Sequence, residues 1–304
     1  MEGRPPEGLE GRFLDPKILQ QVSSLSLRAR YVVEGVLTGF HRSVHRGQSI
    51  EFAEHKEYSP GDEIRHIDWK AFAKRDKCYV KQFEHETNLR AWIVLDASGS
   101  MGYAGGEGGM SKFEYGATLT ASLGYLMLQQ LDAVGLLTFQ GGIQRYVPPR
   151  ARSSHLQAIM EVLEKLQPAG RIDLPSCLHG LQEKVRRRGM VILISDLLGP
   201  IEKILMPLKL LRHRMTEVII FHMLSEDELE FPFSSPSIFQ GLEGEGDVQA
   251  DPDSVRRAYL EELHGFLDLC RKGSLEQDID YCLCRTSDPL DRSLVRYLAR
   301  RSAL

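Results

Sequence analysis

The chain has 304 residues, a formal net charge of −4, and a composition that is 42% hydrophobic and 26% charged. That length can bury one large core or two modest ones, and the composition is that of a globular protein rather than a disordered one. Without a basic excess there is no global reason to expect nucleic-acid binding, and five scattered cysteines, an odd number, do not make a disulfide framework.

Residues 1–14 are rich in Gly, Pro and Glu and read as a loose tail. They carry neither the basic nor the apolar region of an export signal, so the expectation is a cytoplasmic protein with no membrane insertion. From Asp15 to about Leu37 the pattern is helical, with Pro16 in the first turn and Ile18, Leu19, Val22 and Leu25 at helical spacing. The rest of an N-terminal segment, to residue 89, mixes a turn at Ser59-Pro60-Gly61-Asp62 with strand-like Cys78 to Phe83.

After Arg90 the character changes. Ala91 to Leu95 is a continuous apolar run, as expected of a central strand covered on both faces. A glycine-rich loop, a helix from Lys112 to Leu131 and a strand from Ala133 to Phe139 follow, with Ile143 to Val147 expected to pair with that strand. Helices to Leu166 and from Pro175 to Arg187 precede a second deeply apolar strand, Met190 to Ser195. Helix Ile201 to His213, strand Glu217 to Met223, helix Ser254 to Lys272, strand Ile279 to Cys284 and helix Pro289 to Arg301 complete residues 90–304. Apolar strands alternating with helices predict an α/β fold, a mostly parallel sheet between two helix layers. Between residues 225 and 253 acidic residues recur with no Lys or Arg, and this excursion reads either as a solvated loop or as a docking surface for a basic partner.

Ligands of open parallel sheets bind at the carboxyl ends of the strands. The first apolar strand ends in Asp96-Ala97-Ser98-Gly99-Ser100 and the second in Ser195-Asp196. Carboxylates and hydroxyls are hard oxygen donors suited to Mg²⁺ or Mn²⁺. This pattern resembles the metal-ion-dependent adhesion site of von Willebrand factor A domains. The resemblance implies a three-layer Rossmann-like fold over residues 90–304, a cation held by Asp96, Ser98, Ser100 and Asp196, and a partner's acidic side chain in its shell. That family also uses a threonine in a string like Gly-x-Thr-Asp-Leu. Here Gly170-Arg171-Ile172-Asp173-Leu174 puts Ile172 at that place, so that either Asp173 or a water substitutes or the site binds weakly.

The segment Glu57 to Ala71, containing Pro60-Gly61-Asp62, Arg65 and Ile67-Asp68-Trp69, resembles the hallmark of the bacterial family called domain of unknown function 58. That resemblance implies partnership with a MoxR-type AAA+ ATPase and brings no catalytic residues. Asp62, Arg65, Asp68 and Trp69 read either as a contact surface for that partner or as a structural staple. The expected function is therefore a non-enzymatic, cation-dependent adaptor for that ATPase and an unidentified protein client. A structural subunit with a degenerate site and a Mg²⁺-dependent hydrolase are the alternatives. Against the hydrolase, no phosphate-binding loop, Gly-x-Ser-x-Gly or His-Glu-x-x-His string occurs.

Overall fold

The structure is a computed structural model that describes residues 16, 19, 22, 24–44, 56–57, 79–80, 89–105 and 109–295. The chain divides into two compact units, residues 38–88 and residues 1–37 with 89–304. Helix α1 (Leu25–Val44) begins in the larger unit and buries Ala29, Val32, Val33 and Val36, which recur at three- and four-residue spacing. In the smaller unit β1 (Lys56–Glu57) and β2 (Tyr79–Val80) form an antiparallel pair, Lys56 opposite Val80. Asp62, Arg65, Asp68 and Trp69 lie outside the described residues.

The larger unit is built on a six-stranded sheet. Its strands are β3 (Arg90–Asp96), β4 (Ala133–Phe139), β5 (Ile143–Arg150), β6 (Gly189–Ser195), β7 (Thr216–Leu224) and β10 (Asp280–Arg285). Their spatial order is β10-β7-β6-β3-β4-β5, parallel except for β5, which runs antiparallel to β4. All of β6 and six residues of β3 are buried, as central strands covered on both faces must be. Edge strand β5 instead exposes most of its residues and ends in Pro148-Pro149-Arg150, which have no donors to offer a further strand from the two prolines.

The helices between these strands form the outer layers. They are α2 (Lys112–Gln129), α3 (His155–Lys165), α4 (Leu174–Lys184) and α5 (Ile201–His213), joined further on by α7 (Pro252–Glu276). Alternation along the strands divides the core between two faces. Trp92, Val94, Val191 and Leu193 pack with Leu174, Leu178 and Leu181 of α4 and with Ile204 and Leu208 of α5. Leu95 and Ile194 point the other way, toward Gly116 of α2, where an added Cβ would stand 3.1 and 3.0 Å from their side chains. Helix α2 is buried along most of its length, yet Thr118, Thr120 and Ser122 carry hydroxyls there. Each donates to the carbonyl four residues earlier, at 2.7 to 2.8 Å, so none is left unsatisfied. Together these features form the three-layer von Willebrand factor A-type fold.

The acidic excursion is ordered rather than a loose loop. It contains a short helix α6 (Glu226–Glu230) and the antiparallel hairpin β8 (Ser237–Gln240) and β9 (Asp247–Ala250). Phe231 stacks on Phe239 of β8, with ring centroids 5.6 Å apart, and contacts Tyr259 of α7 at 4.7 Å. Arg256 of α7 donates to the carbonyls of Phe231 and Phe233. These aromatic contacts staple a locally hydrophilic segment to the body. Cys177, Cys270, Cys282 and Cys284 are all buried, Cys282 and Cys284 on one strand face as their spacing requires. Among the described residues no helix is long and apolar enough to cross a membrane.

Candidate functional site

Strand order reverses between β3 and β6, because the chain leaves β3 toward β4 on one side and returns to β6 on the other. The crevice at their carboxyl ends is the site this topology offers. Asp96 ends β3, Ser195 ends β6 and Asp196 follows it, and all three are buried. Asp96 Oδ1 accepts the Ser98 amide at 2.9 Å, and Asp96 Oδ2 accepts the Ser195 hydroxyl at 2.6 Å. The hydroxyls of Ser98 and Ser100 lie 3.1 Å apart. Ser98, Ser100, Asp96 and Asp196 thus share one buried nest at the sheet edge.

The loop before α4 closes one side. Ala169 donates to the Ala97 carbonyl at 3.0 Å and Gly99 to the Gly170 carbonyl at 2.8 Å, so this loop runs beside the Ser98 turn. Ile172 packs against the α4–α5 side of the core. Asp173 is engaged elsewhere: it is exposed, caps α4 through the Ser176 amide, and accepts the Ser176 hydroxyl at 2.6 Å. Among the described residues no group of three or more His, Cys, Asp or Glu side chains is arranged to hold a metal ion. The oxygen set here is two carboxylates and two hydroxyls.

A residue that sequence reasoning missed stands at the centre. Lys112, the first residue of α2, is 2% exposed and donates to Asp196 Oδ2 at 2.8 Å and to Glu228 Oε1 at 2.6 Å. Lys112 and Glu228 are each placed by local chemistry. Ser111 and Glu114 close a capping box at the start of α2, fixing Lys112 at the helix N-terminus. Ser225 and Glu228 close a second one at α6, where Glu228 Oε2 accepts the Ser225 amide at 2.7 Å while its other oxygen takes Lys112. The Ser-x-x-Glu spacing of both boxes is visible in the sequence; the ion pair between them is not.

Burial would lift Asp196, but the adjacent Lys112 ammonium outweighs it and holds the carboxylate below its usual range. Burial alone would likewise lower Lys112, and the charges of Asp196 and Glu228 raise it instead. Asp96 has no such cation. Burial, reinforced by the charge of Asp196, pushes it up to about 6. Asp196 Oδ1, also buried, has no hydrogen-bond partner.

Second supports fix Asp196 from behind. His222 of β7 donates from Nε2 to the Asp196 carbonyl at 2.9 Å, since a carbonyl only accepts. Its Nδ1 therefore accepts from the Tyr281 hydroxyl at 2.7 Å. Burial pushes His222 down to about 4, so the ring is neutral at pH 7. The next residue, Leu197, is held at φ 52°, a left-handed conformation unusual for leucine, and donates to the Ser195 hydroxyl at 3.0 Å.

The acidic hairpin covers the opening. Its tip lies against the turn Gly99–Gly102: a Cβ on Gly99 would stand 2.1 Å from the Leu242 carbonyl oxygen. The Ser100 amide faces Glu243 Oε1 at 3.4 Å. On one side of the hairpin is a cavity of about 640 Å³ between Ser100, Lys112, Phe231, Phe239 and Tyr259; on the other, one of about 1060 Å³ is bordered by Ile172, Lys203 and Glu243.

Two measurements follow from these contacts. Lys112→Met leaves Asp196 buried and unpaired, so urea unfolding at pH 7 should show a loss of about 3–5 kcal/mol. Adding Asp196→Asn should cost less than it does alone; strict additivity would mean that the pair does not interact. The second concerns pH. His222 contributes stability that is present above about 6.5 and lost as pH falls through its folded value of about 4. Asp96 acts oppositely in the same window, because its raised value favours the folded state as pH falls. Comparison with His222→Gln isolates the histidine. Between pH 6.5 and 4 the wild type should lose about 3 kcal/mol relative to the variant, and parallel curves would refute the buried neutral ring.

Comparisons with known proteins agree with this fold. Two uncharacterised proteins, from Mycobacterium tuberculosis and Mycobacterium bovis, are each 30% identical over 242 residues, which is 79% of this chain and 75% of theirs. The crystal structure of the conserved hypothetical protein BatB from Bacteroides thetaiotaomicron superposes with a TM-score of 0.50 at 15% identity, covering 71% of this chain and all of that one, a likeness of fold. The family model described as protein of unknown function DUF58 matches residues 54–264, and the chain belongs to that family.

Proposed function

We propose that the chain is a non-enzymatic, cytoplasmic protein-binding adaptor that acts with a MoxR-type AAA+ ATPase and engages its partner through a divalent-cation site. The observation that carries this reading is the unpartnered, buried Asp196 Oδ1 in the same nest as the Ser98 and Ser100 hydroxyls. A buried carboxylate oxygen without a donor calls for one, and a hard cation is the ligand that this donor set suits. The charges fit as well. Lys112 and Glu228 offset each other, which leaves Asp96 and Asp196 to balance a divalent ion. Asp96, Ser98, Ser100 and Asp196 would hold Mg²⁺ or Mn²⁺, and the ion would supply a Lewis-acidic position for a carboxylate from outside. The nearby ammonium and the aliphatic Ile172 both argue for weak binding. Membership of the DUF58 family and the resemblance of the Glu57 to Ala71 segment support the choice of partner.

A second reading rests on Lys112. Its tethered ammonium already neutralises Asp196, as it would in a structural subunit that needs no metal. Hydrolysis has less support, because both nitrogens of His222, the histidine beside the site, are engaged in positioning.

Calorimetric titration with Mg²⁺ and Mn²⁺ separates the first two readings. Weak binding by the wild type, loss of binding in Asp96→Ala and tighter binding in Ile172→Thr are expected. No heat from a folded wild type would favour the metal-free subunit, and equal affinities for Ile172→Thr would place residue 172 away from the ion. Co-purification with the MoxR-type ATPase tests the partner. Retention should fall in Asp96→Ala and in EDTA; retention that ignores EDTA but falls with salt would move the contact to the acidic excursion. No association between folded partners, with or without nucleotide, would refute the adaptor.

A further inference from the structure

Three features of the acidic hairpin have no role in the reading above. Its tip is internally fixed: Gly241 donates to the Gly246 carbonyl at 3.0 Å, the Glu243 amide donates to Glu245 Oε2 at 3.0 Å, and Gly244 and Gly246 both take φ near 89°. Its stem is stapled by the Phe231–Phe239 stack. Its seat is the residue between the two serines, Gly99, where any side chain would collide with the Leu242 carbonyl. A tip so built and so seated presents one carboxylate, Glu243, to the Ser100 amide.

The geometry points to Glu243 as a self-ligand: it is the carboxylate that closes the cation site from outside, and the hairpin of residues 237–250 is a lid that a partner's acidic side chain must lift. This inference rests on the cation reading proposed above. It gives the unpartnered Asp196 Oδ1 and the Glu243 carboxylate a common ligand. It also accounts for two acids converging on a nest that already holds Asp96, a repulsion that a bound cation would relieve. The Glu243 carboxylate, which borders the same cavity as Ile172, would compensate for the missing threonine hydroxyl. A partner then competes with an intramolecular acid of high effective concentration, so binding is gated by how readily the hairpin lifts.

The test uses the full chain and Mn²⁺ alone, followed by calorimetry and by hydrogen–deuterium exchange of residues 241–246. Glu243→Gln should weaken Mn²⁺ on the order of tenfold, the scale of losing one supporting group at a metal site. Asp247→Asn removes the same charge from the same hairpin and should leave affinity within about twofold of the wild type, the residue lying on β9 beyond the tip. Mn²⁺ should slow exchange at the tip in the wild type and not in Glu243→Gln. Gly99→Ala, which unseats the tip, should speed exchange there without added metal. Equal affinities for the two charge-removing variants, or tip exchange indifferent to Mn²⁺, would overturn the self-ligand while leaving the cation site intact. A folded wild type that binds no Mn²⁺ would overturn both.

Discussion

The site depends on one buried ion pair, Lys112 with Asp196. An ammonium and a carboxylate removed from water each carry a desolvation cost of several kcal/mol, and their attraction repays it only when the remaining donors and acceptors are satisfied. Glu228 makes that condition hold on the lysine side; on the other, His222 steadies the Asp196 main chain through its carbonyl while the carboxylate keeps one oxygen, Oδ1, without a donor. The pair ties α2 to the end of β6, and Glu228 ties both to α6. The start of a helix, the end of a central strand and the base of the acidic excursion are thereby fixed in one place. Replacing the pair by apolar residues would pack as well; what the charges add is an electrically asymmetric nest, with a cation on one wall and carboxylates on the other.

Much of this was legible in the chain. Ala91 to Leu95 and Met190 to Ser195 are apolar without alternation, which requires cover on both faces, and the helices between them force a parallel sheet. Once those two strands are central, Asp96 and Asp196 must end at one edge, because parallel neighbours share their carboxyl ends. The element boundaries then follow within a few residues: β7 runs Thr216–Leu224 where the pattern indicated Glu217 to Met223, and α7 runs Pro252–Glu276 where it indicated Ser254 to Lys272.

What stayed hidden is long-range and polar. A lysine at the first position of a helix reads as a solvated end, and nothing local tells that its ammonium reaches residues 84 and 116 positions away. The excursion misled for a related reason. Its composition is that of a loop, but four aromatic residues spread from Phe231 to Tyr259 come together only after the chain has turned twice, and their contacts are invisible to a window of local sequence. The role of Gly99 is likewise set by a distant residue, Leu242. Gly99 is a contact surface, and the hairpin backbone takes the room a side chain would fill.

The raised Asp96 follows from the same arrangement. One ammonium serves Asp196 and Glu228 together, so Asp96 is left with hydrogen bonds from Ser98 and Ser195 but no counter-charge within the nest. Such a deficit has two remedies, a proton on Asp96 or a cation among its neighbours, and the two exclude each other. Burial makes the proton the cheaper remedy when no cation is near, which is why the carboxyl lies at about 6 rather than in the ordinary range. Below about pH 6 a divalent ion would have to displace that proton, and with the ion bound the Glu243 carboxylate would be attracted where without it the acids repel one another. If a cation occupies the nest, its charge and the position of the hairpin would be two descriptions of a single equilibrium.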